Sequence, residues 1–274
     1  MAVTMADIQN LRKRTGAGMM DCKNALAEAE GDFEKAIEVI RKKGQAFAAK
    51  RGDRDASEGC VLAGTNGDFA TIVALKCETD FVAINSEFVG LTTSILDVAL
   101  ANKPADINAL NALEIQGRSV ADQVTDRMGV TGEKMEIGAY EQIIAPSVVA
   151  YVHPGNKLAT IVGFNKPNVD AQIGKDIAMQ IAAMNPVALT AAEVSEEIKQ
   201  RELTIAREKA AEAGKPENLL DKIAEGALQK FYKEFTLLQQ EFVKNPKQTI
   251  GQYLAQADKD LAVVAFKRYT LNAE

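Results

Sequence analysis

Cys60-Val61-Leu62-Ala63-Gly64-Thr65-Asn66-Gly67-Asp68-Phe69-Ala70-Thr71-Ile72-Val73-Ala74-Leu75-Lys76-Cys77 is the stretch on which the fold turns. Cys60 to Thr65 and Phe69 to Cys77 are rich in strand-forming residues, and Asn66-Gly67 between them tolerates the positive φ angles of a tight hairpin turn. Upstream, the apolar spacing is helical. Thr4 can cap a first helix carrying Met5, Ile8 and Leu11, which stops at Gly16 to Gly18. Cys22, Ala25, Leu26 and Ala29 then recur at i, i+3, i+4, i+7 until Gly31, and Asp32 caps a third helix with Phe33, Ala36, Ile37 and Ile40. Three such stripes can close a small bundle, with the basic stretch Arg41 to Arg54 read as a helix end running into a linker.

Downstream of the hairpin, a loop from Glu78 to Asn85 leads into a helix with Phe88, Leu91, Ile95 and Leu96 on one face, ending before Pro104. The same order then recurs: Val148 to His153, a turn at Pro154-Gly155, Leu158 to Phe164, and a helix with Ile173, Ile177 and Ile181. Ala70-Thr71-Ile72-Val73 reappears as Ala159-Thr160-Ile161-Val162, which supports a duplicated unit. Met135 to Ile143 and Ala262 to Leu271 are further strand candidates, each able to complete one of two small antiparallel sheets. Between the second unit and the last strand, Val194 to Ala213 is rich in Ala, Glu and Lys, breaks at Gly214-Lys215-Pro216, and resumes with Leu220, Ile223, Ala227 and Phe231. An α+β fold follows, with these expected parts: a helical bundle and linker over 1–54, a first core subdomain over 55–145, a second over 146–192 and 237–274, and a helical hairpin inserted at 193–236.

Composition excludes several functions. The chain of 274 residues carries a formal charge of -6 with both signs scattered, so it has no broad attraction for phosphate backbones, and free RNA or DNA is not an expected ligand. Met1 to Arg14 lacks a signal-peptide core, and no run approaches the ~20 apolar residues of a membrane span; a cytoplasmic location is expected. Cys22, Cys60 and Cys77 are odd in number and have no paired spacing, which argues against a disulfide framework or a zinc site and for small buried thiols. His153 is the single histidine, so a catalytic triad or a two-histidine metal site would have to pass through it. No phosphate-cradling Gly-Lys-Ser/Thr loop is present, and Gly16-Ala17-Gly18 follows a helix where a dinucleotide fingerprint needs a strand. No catalytic residue, cofactor or metal ligand is assigned.

Two stretches suit recognition instead. In Arg14-Thr15-Gly16-Ala17-Gly18-Met19-Met20-Asp21-Cys22-Lys23, adjacent methionines cannot both enter a tiny bundle, so one should face water or a partner; the bland alternative is a helix start with one Met in the core. In Glu78-Thr79-Asp80-Phe81-Val82, an aromatic beside a carboxylate at a strand end is a natural anchor, and Asp80 as a helix N-cap is the alternative.

Thr15 to Lys23 and Thr79 to Ala83 resemble, in order and separation, the signature stretches of bacterial elongation factor Ts. The resemblance continues through Tyr151-Val152-His153 with Gly155, Asp176-Ile177-Ala178-Met179, and Pro246 to Leu254. It implies a ubiquitin-associated-like N-terminal bundle, two related core subdomains, and a coiled-coil hairpin that dimerises some members. It further implies a guanine-nucleotide exchange factor for elongation factor Tu, in its GDP-bound and nucleotide-free forms. Thr79, Asp80, Phe81 and Val82 would disturb the magnesium site of that GTPase, while Arg14, Thr15, Gly16, Met19, Met20 and Lys23 would hold its nucleotide domain. His153 and Gly155 would meet a different domain. Some members continue into a further C-terminal module, whereas this sequence stops at Glu274, so exchange is expected to rest on the bundle and core. Two competing readings are an adaptor that binds ubiquitin-like folds through the bundle, without exchange activity, and a metal-dependent enzyme using Cys22, Cys60, Cys77 and His153.

Overall fold

Thr4 starts the first helix, α1 (Met5–Thr15), by a capping box: its hydroxyl accepts from the Asp7 amide at 3.2 Å, and the Asp7 carboxylate accepts from the Thr4 amide at 3.0 Å. Gly16, at φ +72°, ends it in the left-handed conformation that costs glycine least. α2 (Met19–Glu28) and α3 (Phe33–Lys50) complete a bundle around Ile8, Leu11, Cys22, Leu26 and Ala36. The computed structural model of the chain describes residues 3–50 and 52–272; Met1, Arg51 and Glu274, which fall at expected domain ends or in the expected linker, lie outside the described residues. One correction concerns Arg41 to Arg54, because α3 continues through most of that stretch. Gly44 reads locally as a breaker, but it is buried against Gly129, and a Cβ built on Gly129 would lie 2.7 Å from its Cα. Tertiary packing here overrides local propensity.

β1 (Glu58–Asn66) and β2 (Phe69–Cys77) form the hairpin, paired from Glu58↔Cys77 to Asn66↔Phe69. Its turn lies one residue later than the sequence suggests. Asn66 still pairs, and Gly67, at φ +63°, and Asp68 make the connection. The expected loop contains a short helix, α4 (Asp80–Ala83), ahead of α5 (Ser86–Asn102). Residues 104–134 hold α6 (Ile107–Ala112), a miniature hairpin of β3 (Glu114–Ile115) and β4 (Arg118–Ser119), and α7 (Val120–Thr131). β5 (Met135–Ile144) then pairs with β2, giving a sheet of order β1-β2-β5.

β6 (Ser147–Val152), β7 (Leu158–Phe164) and α8 (Ala171–Met184) repeat that order. α9 (Glu196–Glu212) and α10 (Glu217–Phe235) form the helical hairpin, with Gly214 at φ +70° and Pro216 as the N-cap of α10, just ahead of its first turn. β8 (Glu241–Phe242), β9 (Asn245–Thr249) and α11 (Ile250–Ala257) follow, and β10 (Val263–Thr270) completes a second sheet of order β10-β7-β6. Both sheets are antiparallel, and each has the second strand of its hairpin at the centre.

The two sheets pack face to face between outer helices, an arrangement the sequence reading did not anticipate. Val73, Leu75 and Cys77 of β2 meet Phe88 and Ile95 of α5, while the alternate residues Ala70, Ile72 and Ala74 meet Ala159 and Ile161 of β7. On the far side, Val162 and Phe164 meet Ile177 and Ile181 of α8. Alanines along the sheet interface let the layers approach closely, and Gly163 shows how closely: its Cβ would stand 2.8 Å from Ala145 and from Ile143.

Candidate functional site

Thr79 carries the turn from strand to helix. Its extended backbone ends β2, its hydroxyl accepts from the Val82 amide at 3.4 Å, and α4 starts at the next residue. The capping task expected as an alternative for Asp80 therefore belongs to Thr79. Asp80 is exposed, half-buried Val82 packs on the first core, and buried Ala83 fixes the inner face. Phe81, 79% exposed, and Ile84, 77% exposed, point away from it. A four-residue helix with its largest apolar side chain and that of its C-cap residue in water contributes little to the core and offers a compact anchor to a partner.

The bundle presents a second surface. The Thr15 hydroxyl donates to the Leu11 carbonyl at 2.8 Å and accepts from the Ala17 amide at 3.3 Å, which holds the glycine turn open. Both methionines face outward, Met19 at 41% and Met20 at 64% exposure, where one was expected to. Arg14 pairs with Glu34, and Lys23 is exposed. A cleft of about 1180 Å³ separates this turn from the core, with Arg14, Thr15, Gly16 and Met19 on one wall and Asn85 and Glu87 on the other. Gly16 approaches the ion pair of Glu87 with Arg127; its Cβ would lie 3.7 Å from a charged atom of each. The glycine turn thus sits beside the start of α5, immediately after the Thr79 to Val82 segment.

His153 and Gly155 are exposed in the β6–β7 turn, where Gly155 has φ +91° and the Tyr151 hydroxyl lies 3.0 Å from His153 Nδ1. That turn reaches the same end of the molecule as Thr79. Val61 donates its amide to the Asn156 carbonyl at 2.7 Å, and Lys157 Nζ lies 2.8 Å from Glu58, whose strand partner is Cys77. The hydrogen bond to Glu58 holds the Lys157 ammonium more firmly protonated than usual, and the charges of Glu58 and Asp80 add to it. All three predicted surfaces consequently lie along one edge.

The cysteines do not converge with His153. Cys22 lies in the bundle, and Cys60 and Cys77 are buried under α5; burial pushes their thiols up to about 11 and about 12. Among the described residues, no group of three or more His, Cys, Asp or Glu side chains could hold a metal ion, and no helix is long and apolar enough to cross a membrane. Glu133, by contrast, escaped the sequence reading although its carboxylate accepts from Thr79 twice, at 3.0 Å from the amide and 2.6 Å from the hydroxyl. It stands in a segment with no motif around it.

Residues 78–273 match the family described as Elongation factor TS. Over its whole length the chain is similar to proteins named Elongation factor Ts: 64% identical to that of Porphyromonas gingivalis strain ATCC 33277, 58% to that of Azobacteroides pseudotrichonymphae and 48% to that of Bacteroides thetaiotaomicron, with all of both chains covered each time.

Proposed function

Because the chain belongs to the elongation factor Ts family, we propose that it binds elongation factor Tu and promotes the release of GDP during translation elongation. Exchange is a coupling between two binding events: a factor that weakens GDP is itself weakened by GDP to the same degree, and neither step needs a catalytic acid, base or nucleophile. The chain acts as a binding protein without a cofactor of its own, in the cytoplasm. The observation that carries this reading is Phe81, 79% exposed next to exposed Asp80 on a helix that another residue caps.

Phe81 enters an apolar pocket of the GTPase, and Asp80 acts near its bound magnesium. Displacing groups that position the cation removes the charge that neutralises the diphosphate, and repulsion favours departure. Met19 and Met20 grip the nucleotide domain, and the His153 turn meets another domain. In this reading residues 1–54 form a ubiquitin-associated-like bundle. Residues 55–145 form the first core subdomain, and residues 146–192 with 237–274 form a second, related one; the shared strand order of their sheets supports the kinship. The direct test is stimulated release of labelled GDP from elongation factor Tu; release no faster than the spontaneous rate overturns the proposal.

Changing Met19 and Met20 together to Ala is expected to weaken binding by about tenfold while circular dichroism stays unchanged, because the two side chains project outward and together give up apolar contact worth about 1.4 kcal/mol on truncation. Unaltered affinity counts against a contact at the bundle. The helical hairpin supports a separate role, self-association. Its buried residues are few, Ala210, Leu220, Ala224 and Tyr232, and it leaves Ile205 and Leu219 exposed. Replacing residues 193–235 by a short linker is expected to change the sedimentation behaviour more than the rate of GDP release; a variant that binds normally but releases no GDP overturns this assignment.

A further inference from the structure

Building on the exchange reading above, we propose that Glu133 is a positioning residue for the Asp80–Phe81 helix, the fixed point of a clasp that sets the direction in which Phe81 projects. The main-chain ladder between β2 and β5 ends at Cys77↔Met135. Beyond it, two carboxylates replace main-chain carbonyls as acceptors. Glu78 accepts from the Lys134 amide at 2.7 Å, and Glu133 accepts from the Thr79 amide at 3.0 Å, so each chain segment grips the backbone of the other.

The second bond to Glu133 gives the clasp its directing role. A hydroxyl has one proton and two lone pairs. By donating that proton to Glu133 at 2.6 Å, Thr79 is left with its lone pairs free to receive the Val82 amide, which is the cap of α4. A helix of four residues does not hold itself together in water, so its position depends on its cap and on Ala83 beneath it. The chain entering from the bundle is tied to the same point. Arg54 reaches the other oxygen of Glu78 at 2.9 Å, and Lys134 Nζ donates to the carbonyls of Gly52 and Arg54 at 3.0 and 2.9 Å. The Asp80–Phe81 helix and the chain arriving from the bundle are therefore tied at one clasp, and Glu133 acts on the partner only through Thr79.

The test uses the full chain. In Glu133→Ala, amide hydrogen exchange of Val82, Ala83 and Ile84 is expected to quicken about tenfold or more, as loss of a charge-assisted hydrogen bond implies. The same measure in β2 and α5 stays unchanged. Against elongation factor Tu, the maximal rate of GDP release at saturating factor falls about tenfold, with the half-saturating concentration moving less. Thr79→Val costs less when added to Glu133→Ala than when made in the wild type, because the two changes share one linkage and only the cap remains to be lost. Glu133→Gln, which keeps the size and one acceptor oxygen, recovers part of the rate and is the variant to read if Ala disturbs folding. Unchanged amide protection in α4 overturns the clasp. So does a normal maximal rate in Glu133→Ala beside a defective Phe81→Ala, and that result leaves the exchange reading standing. If the wild-type chain fails to release GDP, the exchange reading falls instead, and α4 protection still decides the clasp.

Discussion

Phe81→Ala is expected to weaken the complex with elongation factor Tu by about thirtyfold, or roughly 2 kcal/mol, the usual loss for an aromatic interface anchor. Its melting temperature should stay with the wild type. The side chain is 79% exposed in the free protein, so truncation removes almost no packing. Phe88, fully buried beneath β2 seven residues later, is the natural control: cavity formation there costs about 3 to 5 kcal/mol of stability, and its effect on release should follow only the folded fraction. Calorimetry beside stimulated GDP release separates the two. A Phe81→Ala protein that melts early yet releases GDP at the normal rate overturns the anchor.

That prediction rests on side chains whose positions local rules can reach. Thr4, Gly16, Gly31 and Asp32 punctuate the first helices because caps and left-handed turns depend on nearest neighbours. The strand from Phe69 to Cys77 has its observed bounds because β-rich residues end at a turn on one side and at Glu78 on the other. What escaped depends on distant partners. Gly44 reads as a helix end until Gly129 is set against it, and nothing within ten residues of Gly44 announces that contact. The sheet-on-sheet interface leaves a trace in the sequence: β2 is apolar at nearly every position, and a strand buried on both faces has no polar side to alternate with. Glu133 left none. Its meaning lies in the hydroxyl of Thr79, 54 residues away.

The candidate site divides along the same line. Met19, Met20, Asp80 and Phe81 were legible because exposed apolar residues beside glycine or a carboxylate violate the pattern of the elements around them. Their assembly along one edge was not. It depends on the register Glu58↔Cys77 and on Lys157 crossing to Glu58, both of which join segments from separate parts of the chain.

Asp176→Asn is expected to cost on the order of 2 kcal/mol of folding stability at neutral pH, the usual loss when a buried, charge-assisted acceptor is removed and its donors are left unsatisfied. Asp176 is 5% exposed and accepts from Gln172 Nε2 at 2.7 Å, Lys244 Nζ at 2.6 Å and the Tyr253 hydroxyl at 2.9 Å. Asparagine offers one acceptor oxygen, and its amide would turn a donor toward other donors. Two of the stretches that resemble the family meet here, Asp176 from one and Tyr253 from the other, so these matches report a structural junction instead of a partner surface. Burial alone would raise the Asp176 carboxyl, but the bonds from Lys244, Tyr253 and Gln172 outweigh it and leave the group below the ordinary carboxylate value. A folded pKa below the unfolded one means that the contribution is complete above the unfolded value of about 3.9 and is lost as pH falls through the folded value. The gap in urea midpoint between wild type and Asp176→Asn should therefore hold between pH 8 and about 5 and close below about pH 4. A gap that widens in acid would mean that the carboxylate is not the stabilising form.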